Sequence, residues 1–344
     1  MPDLPSRPDL DQLRHQAKDL LADAINGDAG ALGRINVVSD RPTLSSAQLA
    51  VAREYGFASW AKLKVEVERR RVLDRGDRDG LSALLAEHPT LAQTVMEHWS
   101  DHPLGAAPLS YVAMLRFDTS RKAWRDLPGS AEMAQALLDS GAPINGLPAD
   151  SETPLITAAS YGDSGVARVL IENGADLDTV AAPDAGGVPG GSALLHAAVF
   201  GMTDVVDLLV SAGAQVRSIE EAAACGDVAA WLTSKTPEQG RIRALVMAAD
   251  HQRLDVIDQL VNAGTPVDAI DTLFGRQALR TAASDGRPGS VRRLLAHGAD
   301  PNLRDPQHGM TPLDWCRHNR ATAADQPAYD EVEAILRPVT SSST

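Results

Sequence analysis

Residues 192–217 read SALLHAAVFGMTDVVDLLVSAGAQVR, and this stretch decides the fold. Ser192 opens an apolar run, at the place where the similar segment from Thr153 offers a capping hydroxyl. Ala197 and Ala198 are small, so a second helix can lie close against the first. Val205, Leu208 and Leu209 then form an i, i+3, i+4 stripe on that second helix. Gly213 supplies a left-handed residue to end it. Helix, tight turn, helix and terminal glycine thus fit within 26 residues.

The pattern recurs outward in both directions. TPLITAASYGDSGVARVLIENGADLD runs from Thr153, IRALVMAADHQRLDVIDQLVNAGTPVD from Ile242, and RQALRTAASDGRPGSVRRLLAHGADPN from Arg276. In each copy 19 residues separate an apolar anchor from a glycine: Leu155 and Gly174, Leu194 and Gly213, Leu245 and Gly264, Leu279 and Gly298. A fixed offset at four places marks a repeat architecture, in which each unit buries its apolar face against its neighbours. Thr153-Pro154 adds a proline at the first helical position, where the missing N–H costs nothing.

These segments resemble ankyrin repeats. Thr153-Pro154-Leu155, Thr311-Pro312-Leu313, His196 and Gly298-Ala299-Asp300 carry that family's motifs. The resemblance is strongest over residues 130–320 and weaker over 76–130. It implies an all-α ankyrin-repeat solenoid with short β-hairpin fingers and helical caps. About seven units are expected, two of them degenerate: one at Ile219, and one opening at Pro108 with an insertion near 118–130. A second insertion, AAPDAGGVPGG at 181–191, lengthens one finger, and its glycine and proline content suggests mobility.

The expected organisation is an N-terminal helical capping segment over 1–73, the array over 74–325, and a C-terminal capping helix with a disordered tail over 326–344. The N-terminal helix pair resembles the segment that precedes many bacterial ankyrin arrays. Its physical role is to cover the open end of a stack.

Composition supports this reading. The chain is 44% hydrophobic but only 4% aromatic, which suits closely packed short helices. Residues 1–80 balance in charge, and residues 81–344 carry the whole net −14. Nucleic-acid affinity needs phosphate neutralisation by Lys and Arg, so nucleic acid is not an expected partner. The basic stretch Lys62–Arg78 is interrupted by Glu66, Glu68, Asp74 and Asp77, and reads as a solvated helix face. Two cysteines cannot build a disulfide framework in this length. No apolar run approaches a membrane span and the first residues carry no signal-like core. A cytoplasmic protein with no membrane partner is therefore expected.

No motif for a known cofactor, metal or nucleophile stands out, so no cofactor is expected. GGVPGG at 186–191 lacks the lysine of a phosphate loop. His98-Trp99-Ser100-Asp101-His102 superficially resembles a histidine-pair metal motif, but Pro103 argues against the necessary helix. His196 and Cys316 read as structural.

Ankyrin geometry implies that the two residues closing each inner helix line a concave groove. They are Ser160 and Tyr161, Val199 and Phe200, Ala224 and Cys225, Asp250 and His251, Ser284 and Asp285, His318 and Asn319. Tyr161 and Phe200 make one end apolar. Asp250, His251, Asp285 and His318 are expected to make the other end acidic and imidazole-rich. The leading expectation is recognition of a protein or peptide, neutral or cationic, through this face. The alternatives are small-molecule capture under the 181–191 finger, or an enzyme in which His251 or His318 acts as general base beside Asp250 or Asp285.

Overall fold

The computed structural model describes residues 4–5, 7–96, 106–118, 123–125, 127–148, 150–323 and 325–341. Internal packing divides the chain near residue 150 into two units. That division falls inside the span expected as one array. The first comprises Met1–Leu115, Thr119–Arg121 and Leu127–Asp150; the second comprises Arg116–Asp118, Lys122–Asp126 and Ser151–Thr344.

In the first unit, helices α1 (Leu10–Ile25), α2 (Ala29–Asn36), α3 (Leu44–Glu54) and α4 (Trp60–Asp74) lead into α5 (Arg78–Glu87), α6 (Pro108–Met114) and α7 (Ser130–Asp139). Helices α1 to α4 share a core that includes Leu13, Leu20, Ile35, Val51 and Leu63. The basic stretch on α4 corrects the sequence expectation. Glu66, Arg69 and Arg70 are buried rather than solvated. Arg69 and Arg70 both pair with Glu66, and Arg69 also donates to the Leu91 and Thr94 carbonyls. The two guanidinium groups share the Glu66 carboxylate, and backbone carbonyls take further N–H groups of Arg69, which offsets part of the cost of burying charge.

The second unit stacks inner helices α8 (Pro154–Tyr161), α10 (Ala193–Val199), α12 (Ile219–Cys225), α13 (Glu238–Asp250), α15 (Ala278–Ser284) and α17 (Pro312–Arg320). Each packs on the next. Outer helices α9 (Ser164–Glu172), α11 (Thr203–Ser211), α14 (Leu254–Asn262), α16 (Pro288–Ala296) and α18 (Gln326–Leu336) lie behind them. Capping makes these short helices possible. The hydroxyls of Thr153, Ser192 and Thr311 accept the backbone N–H three residues on, and Thr311 forms a reciprocal box with Asp314. Gly213 sits at φ 93°, the left-handed conformation expected of it.

On α11 the fully buried residues are Val205, Val206 and Leu209, while Leu208 is half-buried. The expected stripe is thus rotated by about one residue. Helix α18 is the outer helix of the last pair, packed on α16 and α17. The expected disordered tail is bonded up to Ser341, whose N–H donates to Asn302. The unit at Ile219 keeps only its inner helix, so α11 packs directly on α12. Its buried face is Ala222-Ala223-Ala224, and these short side chains leave room that neighbouring repeats fill.

Candidate functional site

The inner-helix face of the second unit has three parts. At one end the insertion near 118–130 forms a hairpin of β1 (Phe117–Asp118) and β2 (Ala123–Trp124), antiparallel, with Phe117 opposite Trp124. Arg116 donates to the Gly162 carbonyl and ties the hairpin to the end of α8. Phe117, Trp124 and Tyr161 form a three-ring cluster, with centroids 5.2, 6.3 and 6.5 Å apart. Trp124 is 48% exposed and Phe200, on the next inner helix, 40%. Tyr161 is half-buried at the end of α8 and Phe200 is exposed at the end of α10. Phe117 and Trp124 were not singled out, although two aromatics bracketing an insertion in a chain so poor in them were the available signal.

The middle of the face overturns an expectation. Asp250 and His251 are 1% and 2% exposed and offer no groove surface. They are bonded instead to residues of neighbouring repeats. His251 Nε2 donates to the Ala198 carbonyl at 2.8 Å, so Nδ1 accepts from the Thr203 hydroxyl at 2.9 Å. Burial lowers the imidazole's affinity for a proton, although Asp250 opposes the effect. With both nitrogens committed, His251 is not positioned to take a substrate proton.

Asp250 binds Arg276 at 2.7 Å and faces Arg287 at 3.7 Å. Those arginines reach back to the Val199 and Gly201 carbonyls. Gly201 is required here, since a Cβ would stand 2.8 Å from Asp250 Oδ1. Asp250 is therefore a buried tie between repeats rather than a steering carboxylate.

At the far end, Asp285 is partly open to the groove and lies 3.7 Å from Arg276. Burial, reinforced by the Asp250 carboxylate, pushes its carboxyl upward. Asn319 is used internally, donating to the carbonyl and hydroxyl of Ser284 at 3.0 and 2.8 Å. His318 is exposed and meets Trp315 edge-on at 5.8 Å. The face thus groups Asp285 with His318 in one region but separates His251 from it by burial.

The 181–191 finger is anchored despite its composition. Ala181 N–H donates to Gly191, Ala182 N–H to Ser151, and the Val188 carbonyl accepts from His196 Nε2. His196, fully buried, also accepts at Nδ1 from Ser160. Neither of two cavities of about 400 Å³ is lined by this finger. His98–His102 lies outside the described residues. Among the described residues, no group of three or more His, Cys, Asp or Glu is placed to hold a metal, and no helix is long and apolar enough to cross a membrane.

One of these cavities, about 410 Å³, opens between the fingers around residues 271–276 and 305–310. Ile270, Phe274, Arg280, His308 and Trp315 line it with Asp285. Of this lining, the sequence pattern points only to Ser284 and Asp285. The available signal was the pair DTLFGR and DPQHGM, 34 residues apart.

Comparison with known proteins agrees with this architecture. The family model described as "Ankyrin repeats (3 copies)" matches residues 126–220 and 244–325, about half of the chain. The chain is similar to "Ankyrin repeat and KH domain-containing protein mask-1" of Caenorhabditis elegans, 31% identical over 54% of this chain and 7% of that protein. It is also similar to "Ankyrin repeat protein nuc-2" of Neurospora crassa, 28% identical over 68% and 19% respectively. "Ankyrin repeat domain-containing protein SAT10" of Stachybotrys chartarum is 29% identical over 53% and 10%. The chain thus spans less than a fifth of these curated relatives. None of the three is bacterial, so the bacterial association of the N-terminal helices finds no support in them. Among solved structures, the human ASB11 ankyrin repeat domain aligns with a TM-score of 0.38 at 20% identity, covering 80% of this chain and 98% of that one.

Proposed function

The chain belongs to the ankyrin-repeat family, and we propose that it is a non-catalytic scaffold that binds a protein or peptide through the inner-helix face of its second unit. The observation that carries this reading is the aromatic cluster of Phe117, Trp124 and Tyr161, with Phe200 exposed on the next helix. Only 4% of the chain is aromatic, yet four such rings share one face. Exposed aromatics of this kind are the usual anchors of a protein interface. The internal use of both His251 nitrogens speaks against the enzymatic alternative. The small-molecule alternative loses its expected roof, because the 181–191 finger is bonded down onto His196.

Affinity capture from cell extract, with the double variant Trp124→Ala and Tyr161→Ala beside the parent, tests the reading. A protein enriched near stoichiometry by the parent and depleted at least tenfold by the variant supports it. Equal enrichment by both, or enrichment of a metabolite alone, overturns it.

A further inference from the structure

The two fingers beside the 410 Å³ cavity are built alike. In the first, the Asp271 carboxylate accepts the N–H groups of Leu273, Phe274 and Arg276. In the second, Asp305 accepts those of Gln307, His308 and Met310, and also Trp315 Nε1. Each loop closes on a glycine of positive φ, Gly275 and Gly309. Both acids are spent on their own loops. Burial alone would push Asp305 upward, but hydrogen bonds from His308, Trp315, Met310 and Gln307 outweigh it and hold the carboxyl well below the usual range. The loops are thereby fixed before any partner arrives, which lowers the entropy cost of binding.

The cations of this cavity are not equivalent. Arg276 is bound to Asp250 and to the Val199 carbonyl. Arg280, on α15, donates only through Nη2 to the Gly275 carbonyl. No carboxylate lies within ion-pair distance of Arg280 among the described residues. Burial lowers its guanidinium from the ordinary value, with the more distant Asp305 opposing. A half-buried arginine lacking an ion pair is a group that a carboxylate would satisfy in two-pronged geometry. Around it stand the apolar surfaces of Ile270, Phe274 and Trp315, and Leu273 at the finger tip is 67% exposed. The volume lies within the range of side-chain and ligand pockets.

We propose that this cavity receives an acidic side chain, flanked by apolar residues, from a peptide segment of the partner, with Arg280 as its counter-charge. The proposal rests on the binding reading above and deepens it. It also reverses the partner charge expected from sequence. Asp250 is neutralised internally, Asp271 and Asp305 have their oxygens committed to N–H groups, and Asp285, the remaining carboxylate of the lining, lies 3.7 Å from Arg276. A cationic segment would meet Arg276 and Arg280 and find few free acceptors.

Three fluorescein-labelled twelve-residue peptides, identical except for a central Leu-Glu-Leu, Leu-Gln-Leu or Leu-Lys-Leu, test it by polarisation at pH 7. The parent protein binds the Glu peptide at least about tenfold tighter than the other two, the gain expected of a charge-assisted hydrogen bond. Arg280→Gln abolishes that preference, whereas Arg280→Lys retains part of it. Phe274→Ala, at an exposed tip, weakens the Glu peptide several-fold and serves if Arg280→Gln fails to fold. Tighter binding of the Lys peptide, a preference that survives Arg280→Gln, or no binding of any peptide at millimolar concentration overturns the assignment. Loss of the captured partner on Trp124→Ala with Tyr161→Ala is read separately. The binding face can therefore stand while the pocket assignment falls.

Discussion

Replacing Asp250 by alanine tests whether this residue holds repeats together or faces solvent. Its side chain is 1% exposed, and Arg276 and Arg287, its partners, are 23% and 26% exposed. The change takes the buried carboxylate from two partly buried guanidinium groups and leaves Asp285, 3.7 Å from Arg276, beside them. Breaking a buried ion pair from one side costs about 3–5 kcal/mol. Because water reaches a quarter of each arginine, the lower end, about 3 kcal/mol, applies. For a unit of this size each kcal/mol lowers the melting midpoint by about 2–4 °C, so a fall of roughly 6–12 °C is expected. Circular dichroism melts of parent and variant at pH 7 supply the reading. Adding Arg276→Leu to Asp250→Ala should recover part of the loss, since one stranded charge is removed. A midpoint within about 2 °C of the parent would refute the reasoning, because that is how a solvated groove carboxylate behaves.

Leu209→Ala, at a fully buried position of α11, should cost about 2–5 kcal/mol by urea titration, and Leu208→Ala, half-buried, distinctly less. The reverse order would mean that the α11 register is wrong. Glu152 is pushed up to about 7 by burial. Its folded-state pKa is raised, so its contribution to stability is present at low pH and lost as pH rises through about 7. Glu152→Gln should therefore raise the melting midpoint at pH 8 and leave it unchanged at pH 4; an equal effect at both would show the group to be freely solvated.

The repeat itself was legible because it is written in local rules. Capping hydroxyls, small inner-helix residues and terminal glycines fall at fixed offsets, and 19 residues between anchor and glycine suffice to place each helix pair. The site was legible only in part. Tyr161 and Phe200 follow from position within the repeat alone. Asp250 and His251 occupy the same positions in their repeat, yet they are buried. The cause is non-local: Arg276 and Arg287, from later repeats, close over Asp250 and reach the Val199 and Gly201 carbonyls, up to 86 residues away in sequence. Arg69 and Arg70 misled for a similar reason, since partners that bury an arginine can lie far along the chain. Arg280 was missed because its distinction is the lack of an ion pair, which only three-dimensional neighbours reveal.

The central claim, that the inner-helix face of the second unit binds the partner, is tested most directly by photo-crosslinking. p-Benzoylphenylalanine placed at Phe200, on the inner face, is compared with the same group at Val210, 39% exposed on outer helix α11. Irradiation in cell extract should join the captured protein to position 200 and not to position 210. Crosslinks confined to position 210 would contradict the account.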